Sequence, residues 1–233
     1  MIIKNKFEMP NDVRDAKIIQ QNLSTKIILK NDFEDISQIK TVAGCDVSYS
    51  KDEKKIYGAV VVLDFATLKI LETVKIKYGG KFAFPYIPGY LSFREGPVLL
   101  EAIKKLKTEP DLFLFDGQGI AHPRGIGIAS HLGVILDKPS IGCAKSHLYG
   151  NYEEPPPALK GAYTFLKDNA GTLMGIVMRS KKYTKPIFIS QGHRIGLTTA
   201  ADIIFKCLTK YRIPEPLRLA HIEANKQVAD KGG

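Results

Sequence analysis

The chain has 233 residues, 44% of them hydrophobic, and carries 34 Lys plus Arg against 24 Asp plus Glu, a formal charge of +10. The apolar content excludes a disordered chain, and the charge favours a polyanionic partner, of which nucleic acid is the commonest. Its three cysteines (Cys45, Cys143, Cys207) form no Cys-x-x-Cys pair, the lead MIIKNKFEMP has no long apolar centre, and no run approaches the ~18 apolar residues of a membrane span, so zinc knuckles, a disulfide framework, a signal peptide and a membrane protein are set aside in favour of a soluble cytoplasmic one.

Residues 1 to 9 look like a loose lead. Asn11 can cap a helix whose apolar positions, Val13, Ala16, Ile19 or Gln20, Leu23 and Ile27, recur at helical spacing. The period then changes. Thr41 to Tyr49, Ile56 to Phe65 and Leu68 to Tyr78 read as three strands with short linkers, hence antiparallel neighbours. Lys81 to Pro97 reads as loop and turn, followed by a helix from Pro97 to Lys107; an earlier start near Leu91, with Pro97 as a kink, is the alternative. Asp111 to Phe115 is a strand buried on both faces, bounded by Pro110 and Gly117. A helix near Ile126 to Leu136 and a strand from Ser140 to Ala144 follow. Residues 151 to 160, with Pro155, Pro156 and Pro157, form an exposed connection. Further strands are read at Ala162–Leu166, Thr172–Arg179 and Pro186–Ser190. Thr198 can cap a helix to about Lys210, and Pro214 to Pro216 open a last helix through His221 to about Val228.

Three antiparallel strands followed by helix, strand, helix, strand is the order of a ribonuclease-H-like mixed α/β sheet, here with additional strands and two C-terminal helices. No composition shift marks a boundary, so residues 1 to 233 are expected to form one domain.

In that order three carboxylates fall at telling places. Asp46 lies mid-strand, on the face of Gly44 and Ser48. Asp116 ends the buried strand DLFLF, and Glu95 sits in FREGP. The first and fourth strands would be neighbours, so Asp46 and Asp116 converge within reach of Glu95. Carboxylates that close must share a proton or be balanced by a hard cation, and oxygen-only ligands favour Mg²⁺ or Mn²⁺. Asp-Gly is also a common turn pair, which leaves Asp116 the plainer role of a cap. Lys145, at the end of an apolar strand, points into the same crevice. His221 is either a site residue or a half-buried histidine, and His122 either orients phosphate or bonds its own loop. In FPYIPG, Pro85 and Pro88 stiffen a tip that carries Tyr86 and Ile87, which suits a wedge into a base stack or a turn packed on the core.

GCDVSY, FPYIPGYLSFREGP, LFDGQGIAHPRGIGIASHLG, IGCAKSHLYG and RIPEPLRLAHI, in that order from Val42 to His221, resemble endonuclease V, the deaminated-base repair nuclease. The resemblance implies a ribonuclease-H-like fold and Mg²⁺-dependent cleavage of the second phosphodiester 3′ to hypoxanthine, with Mn²⁺ substituting. It implies that Asp46 and Asp116 bind metal, that Glu95, Lys145 and His221 are catalytic, and that Tyr86 is a strand-separating wedge, with Pro85, Ile87, Pro88 and His122 beside it at the nucleic acid. Gly89, Leu91, Gly117, Gly127, Ile128 and Leu148 match positions that enclose the flipped base. Tyr90 and Ser92 depart from the residues expected beside Leu91, and residues 152 to 185 carry no motif. The resemblance leaves open DNA or RNA as substrate and one or two metal ions, and no obligate protein partner is evident in the sequence. Sugar kinases begin with a similar fold but need a Gly-rich phosphate loop and a second half. A non-catalytic basic binding module would leave three converging carboxylates without a use.

Overall fold

The computed structural model describes residue 1 and residues 3–51, 55–79 and 84–229. In chain order these form α1 (Val13–Ser24), β1 (Thr41–Tyr49), β2 (Lys55–Asp64), β3 (Ile70–Gly79), α2 (Leu91–Lys104), β4 (Leu112–Phe115), α3 (Ile128–Leu136), β5 (Ser140–Ala144), β6 (Tyr163–Lys167), β7 (Leu173–Met178), β8 (Ile187–His193), α4 (Leu197–Lys206) and α5 (Glu215–Ala229). The strands make one eight-stranded sheet in the order β3-β2-β1-β4-β5-β8-β7-β6. The first three are antiparallel and β1, β4 and β5 run parallel, which is the ribonuclease-H-like arrangement. Beyond β5 the order reverses: β8 pairs with β5, and β7 and β6 follow, all antiparallel.

The sheet has an apolar layer on each face. Val61, Leu63, Leu114, Ile141 and Ile189 pack under α4 and α5, and Val60, Val62, Phe113 and Phe115 pack under α2 and α3. Because side chains alternate along a strand, LFLF feeds both layers, and all four of its residues are buried.

Several boundaries differ from the sequence reading. Asp12, not Asn11, caps α1, accepting from the amides of Arg14 and Asp15; α1 stops at Ser24, short of Ile27. β3 begins at Ile70 because the Asp64 side chain closes a turn on Thr67 and Leu68 takes a left-handed conformation, φ 56°. Of the two starts read for the helix after the loop at residues 81–97, the earlier one holds: α2 begins at Leu91, with Pro97 inside it; residues 81–83 lie outside the described residues. Burial overrides the proline here, since Ser92, Phe93, Glu95 and Gly96 are all buried on the first turns of α2. The lead is not loose: Asn5 bonds the Ile135 and Val134 carbonyls, and Phe7 stacks on His131. α4 is capped at Gly196, whose amide Asn31 holds, rather than at Thr198, and it ends at Lys206.

Candidate active site

β1 and β4 pair in parallel with Cys45 opposite Phe115, and the Asp116 amide donates to the Cys45 carbonyl at 3.2 Å. That register sets Asp46 and Asp116 side by side at the carboxyl ends of adjacent strands, where open α/β sheets bind ligands. Glu95 enters from the second turn of α2. Lys145 follows the last residue of β5. Asp46, Glu95, Asp116 and Lys145 all line one cavity of about 360 Å³.

Each carboxylate has its own partner. Tyr49 donates its hydroxyl to Glu95 at 2.8 Å. Lys145 makes an ion pair with Asp116. His221, on α5, donates from Nδ1 to Asp46 at 2.7 Å, and Asn225 lies 2.9 Å from its Nε2. Among the described residues no three carboxylate, imidazole or thiol groups already converge as a metal cluster.

The charges in the site conflict. Burial first, then repulsion from Asp46 and Asp116, raises Glu95 to about 8 in spite of its bond to Tyr49. Burial and Asp46 raise Asp116 to about 6; its ammonium partner offsets this only in part. Burial alone would lower Lys145, but Asp116 and Asp46 outweigh it and hold the ammonium charged. The hydrogen bond to Asp46 raises His221. An all-oxygen set of two aspartates and a glutamate, desolvated and mutually repelling, fits a hard divalent cation, which relieves the repulsion without a proton.

The other wall is the FPYIPG turn with the strand-to-helix loops. Tyr86, Ile87, Pro88, Gly89 and Leu91 line the cavity, as do Gly117, Gly127, Ile128 and Leu148. Tyr86 is 63% exposed, so it does not pack on the core. Pro85 is exposed and is not part of the lining, while Ile87 packs partly against Phe84, Tyr90 and Phe93. The glycines are needed for close approach: a Cβ on Gly127 would lie 2.2 Å from the Gln118 carbonyl oxygen, and one on Gly117 would lie 2.6 Å from Ile128 Cγ2. His122 is 2% exposed and bonds the Gly89 carbonyl at 2.8 Å, so in this structure it holds the loop. Burial lowers it to about 4, which keeps the ring neutral.

His221 is not in the cavity lining and reaches the site through Asp46. Sequence reasoning missed Tyr49, Gln20, Gln118 and His147. Tyr49 alone left a trace, since alternation put it on the opposite face of β1 from Asp46, the face that α2 covers.

Fold and site together define a ribonuclease-H-like protein with a carboxylate cluster at the end of its central strands and a glycine-walled cavity beside it. The model of the endonuclease V family matches residues 21–222. Endonuclease V of Rippkaea orientalis is 47% identical over 232 residues, covering 100% of this chain and 96% of that one. That of Dictyoglomus thermophilum is 51% identical over 209 residues, 89% and 87% of the two chains. The crystal structure of the Bacillus subtilis protein superposes with a TM-score of 0.90 at 34% identity, covering 100% of both chains. Endonuclease V of Ciona intestinalis, solved with a 24mer DNA containing an inosine followed by a ribo-adenosine, gives 0.82 at 31% identity over 94% and 98%. The chain belongs to the endonuclease V family, a family of nucleases.

Proposed function

We propose that this chain is a Mg²⁺-dependent endonuclease that recognises hypoxanthine in nucleic acid and acts in cytoplasmic DNA repair. On this reading it hydrolyses the second phosphodiester 3′ to the lesion, leaving a 3′-hydroxyl and a 5′-phosphate. The observation that carries the reading is the meeting of Asp46, Glu95, Asp116 and Lys145 with the glycine wall in one cavity. The Ciona relative's inosine-containing DNA supports the substrate class, and its ribo-adenosine keeps inosine RNA in view. Residues 1–233 act here as one domain.

Asp46 and Asp116 would hold Mg²⁺, or Mn²⁺ in its place. When bound, the ion lowers the pKa of its water and neutralises charge on the phosphate. Glu95 and His221 orient the attacking water or complete a second ion's ligands. Lys145 keeps its ammonium charged and places it against the phosphate, where negative charge builds during hydrolysis. The target base leaves the stack for the cavity walled by Gly89, Leu91, Gly117, Gly127, Ile128 and Leu148, and Tyr86 fills the gap it leaves.

One panel tests this: deoxyinosine DNA, inosine RNA, uracil DNA, mismatched DNA and undamaged duplex, at equal salt, with Mg²⁺ or with chelator. Cleavage one nucleotide beyond hypoxanthine, lost in chelator, is the expected result. Equal cutting of undamaged duplex, or cutting in chelator, would overturn the reading.

A further inference from the structure

Gln20 is the one polar residue on the buried side of α1, 1% exposed beside Ala16. Helix interiors of this kind take leucine unless a polar group has specific partners. Gln20 has two. Its Nε2 donates to the Gly89 carbonyl at 3.0 Å, and its Oε1 accepts from Arg124 Nε at 2.5 Å.

The same carbonyl is gripped twice more, by Arg124 Nη2 at 2.6 Å and by His122 Nε2 at 2.8 Å. The His122 tautomer is fixed by its other nitrogen: Nδ1 accepts from the Arg124 amide at 3.1 Å, so Nε2 carries the proton and donates. One carbonyl oxygen with two lone pairs thus takes three donors from two separate parts of the chain. The Arg124 guanidinium also lies over the Tyr90 ring at 4.1 Å.

The grip falls at a hinge point. Gly89 has φ +81°, and Tyr90 donates its amide to the Ile87 carbonyl at 2.9 Å to close the turn. Rotation of the peptide after Gly89 would swing the tip that carries Tyr86. Between Pro88 and the first turn of α2, this is the peptide with the most freedom to rotate, because glycine alone imposes no side-chain restriction.

We propose that Gln20 is a positioning residue for lesion recognition, clamping the Gly89 carbonyl from α1 together with His122 and Arg124 and so fixing the stance of Tyr86 against the cavity. This rests on the function proposed above. A turn held in its binding conformation before the lesion arrives loses less conformational freedom on binding.

The test is a double-mutant cycle on deoxyinosine duplex, using Gln20→Leu, Tyr86→Ala and the pair, with binding measured in Ca²⁺ and cleavage in Mg²⁺. Gln20→Leu is expected to weaken lesion binding about tenfold, the scale of one or two lost hydrogen bonds. The loss falls on affinity rather than on the rate at saturating substrate. In the Tyr86→Ala background the further loss shrinks to under about twofold, because an absent ring cannot be mispositioned. Gln20→Glu, which retains the acceptor for Arg124, recovers part of the affinity. Amide exchange over residues 84–90 quickens in Gln20→Leu while exchange in β1 and β4 stays as in the wild type. Additive losses, or unchanged exchange at the turn, would overturn the proposal even if the Gln20→Leu protein were less stable. A wild-type chain with no preference for deoxyinosine would overturn the function and this proposal with it. A wild type that discriminates, beside a Gln20→Leu variant that discriminates equally, overturns this proposal alone.

Discussion

The two walls of the cavity are built on opposite principles. The acidic wall is buried and electrostatically discontented: Asp46 and Glu95 are each 7% exposed, and Glu95 is driven to about 8 by desolvation and its neighbours. The turn wall carries an exposed ring on a root whose carbonyl is held by three donors. One wall holds charge that a cation would relieve, at a cost to folding. The other holds geometry, at little cost, because its polar groups are paired. The comparison implies that changes to the acidic wall destroy chemistry and can raise stability, whereas changes to the exposed tip of the turn reduce recognition and leave stability alone.

The largest effect expected is on the acidic wall. Asp116→Asn and Asp46→Asn should each lower single-turnover cleavage by at least about a hundredfold while the circular dichroism spectrum is retained, since each removes an ionised ligand. Asp116→Asn cleaving at the normal rate with Mg²⁺ would break the assignment.

Glu95→Gln separates chemistry from stability. Cleavage should fall severely, with partial recovery in Mn²⁺. Glu95 has a folded-state value raised above its ordinary one, so its protonated form is favoured by folding; that contribution is present below about pH 4.5 and is lost as pH rises through about 8. In chelator at pH 8 the Glu95→Gln protein should therefore melt higher than the wild type. Equal melting there would show that the wall is not strained.

Tyr86→Ala should weaken binding to deoxyinosine duplex by about ten- to a hundredfold, as stacking worth roughly 1–3 kcal/mol implies. The loss should be smaller on single strands, Tyr86→Phe should be near neutral, and the melting temperature should hardly move. A large melting drop with normal affinity would put Tyr86 in the core after all.

The smallest effect is a pH limb of opposite sign. His122 is lowered to about 4 in the fold, so the unfolded chain takes up the proton first; stability is full above about pH 6.5 and falls as pH drops toward 4, by about 1.4 kcal/mol per unit at most. Replacing His122 by Asn, which keeps a donor, should flatten that limb in urea titrations at pH 5 and leave the pH 8 result unchanged.

Much of this was legible in the sequence because it depends on local pattern. The strand over TVAGCDVSY and the buried LFLF were readable from periodicity, and parallel pairing then set Asp46 beside Asp116. The start of α2 was only half legible: Pro97 left two starts open, and burial of Phe93 and Glu95 on the first turns selects the earlier one at Leu91. The reversal of strand order after β5 was not legible, because single strands do not state their neighbours. The clamp on Gly89 joins residues 69 and 35 positions away from it, and nothing in helical spacing distinguishes Gln20 from Ile19 as the inward residue.

Gly44 sets how close α5 can come to β1. It has no side chain because α5 lies across β1 at that point: a Cβ there would stand 2.1 Å from the Pro216 carbonyl oxygen. That notch lets α5 come close enough for His221 to reach Asp46. A side chain at residue 44 would hold α5 away from β1 and part His221 from Asp46. Residue 44 therefore governs a contact it does not itself make, through the absence of a side chain.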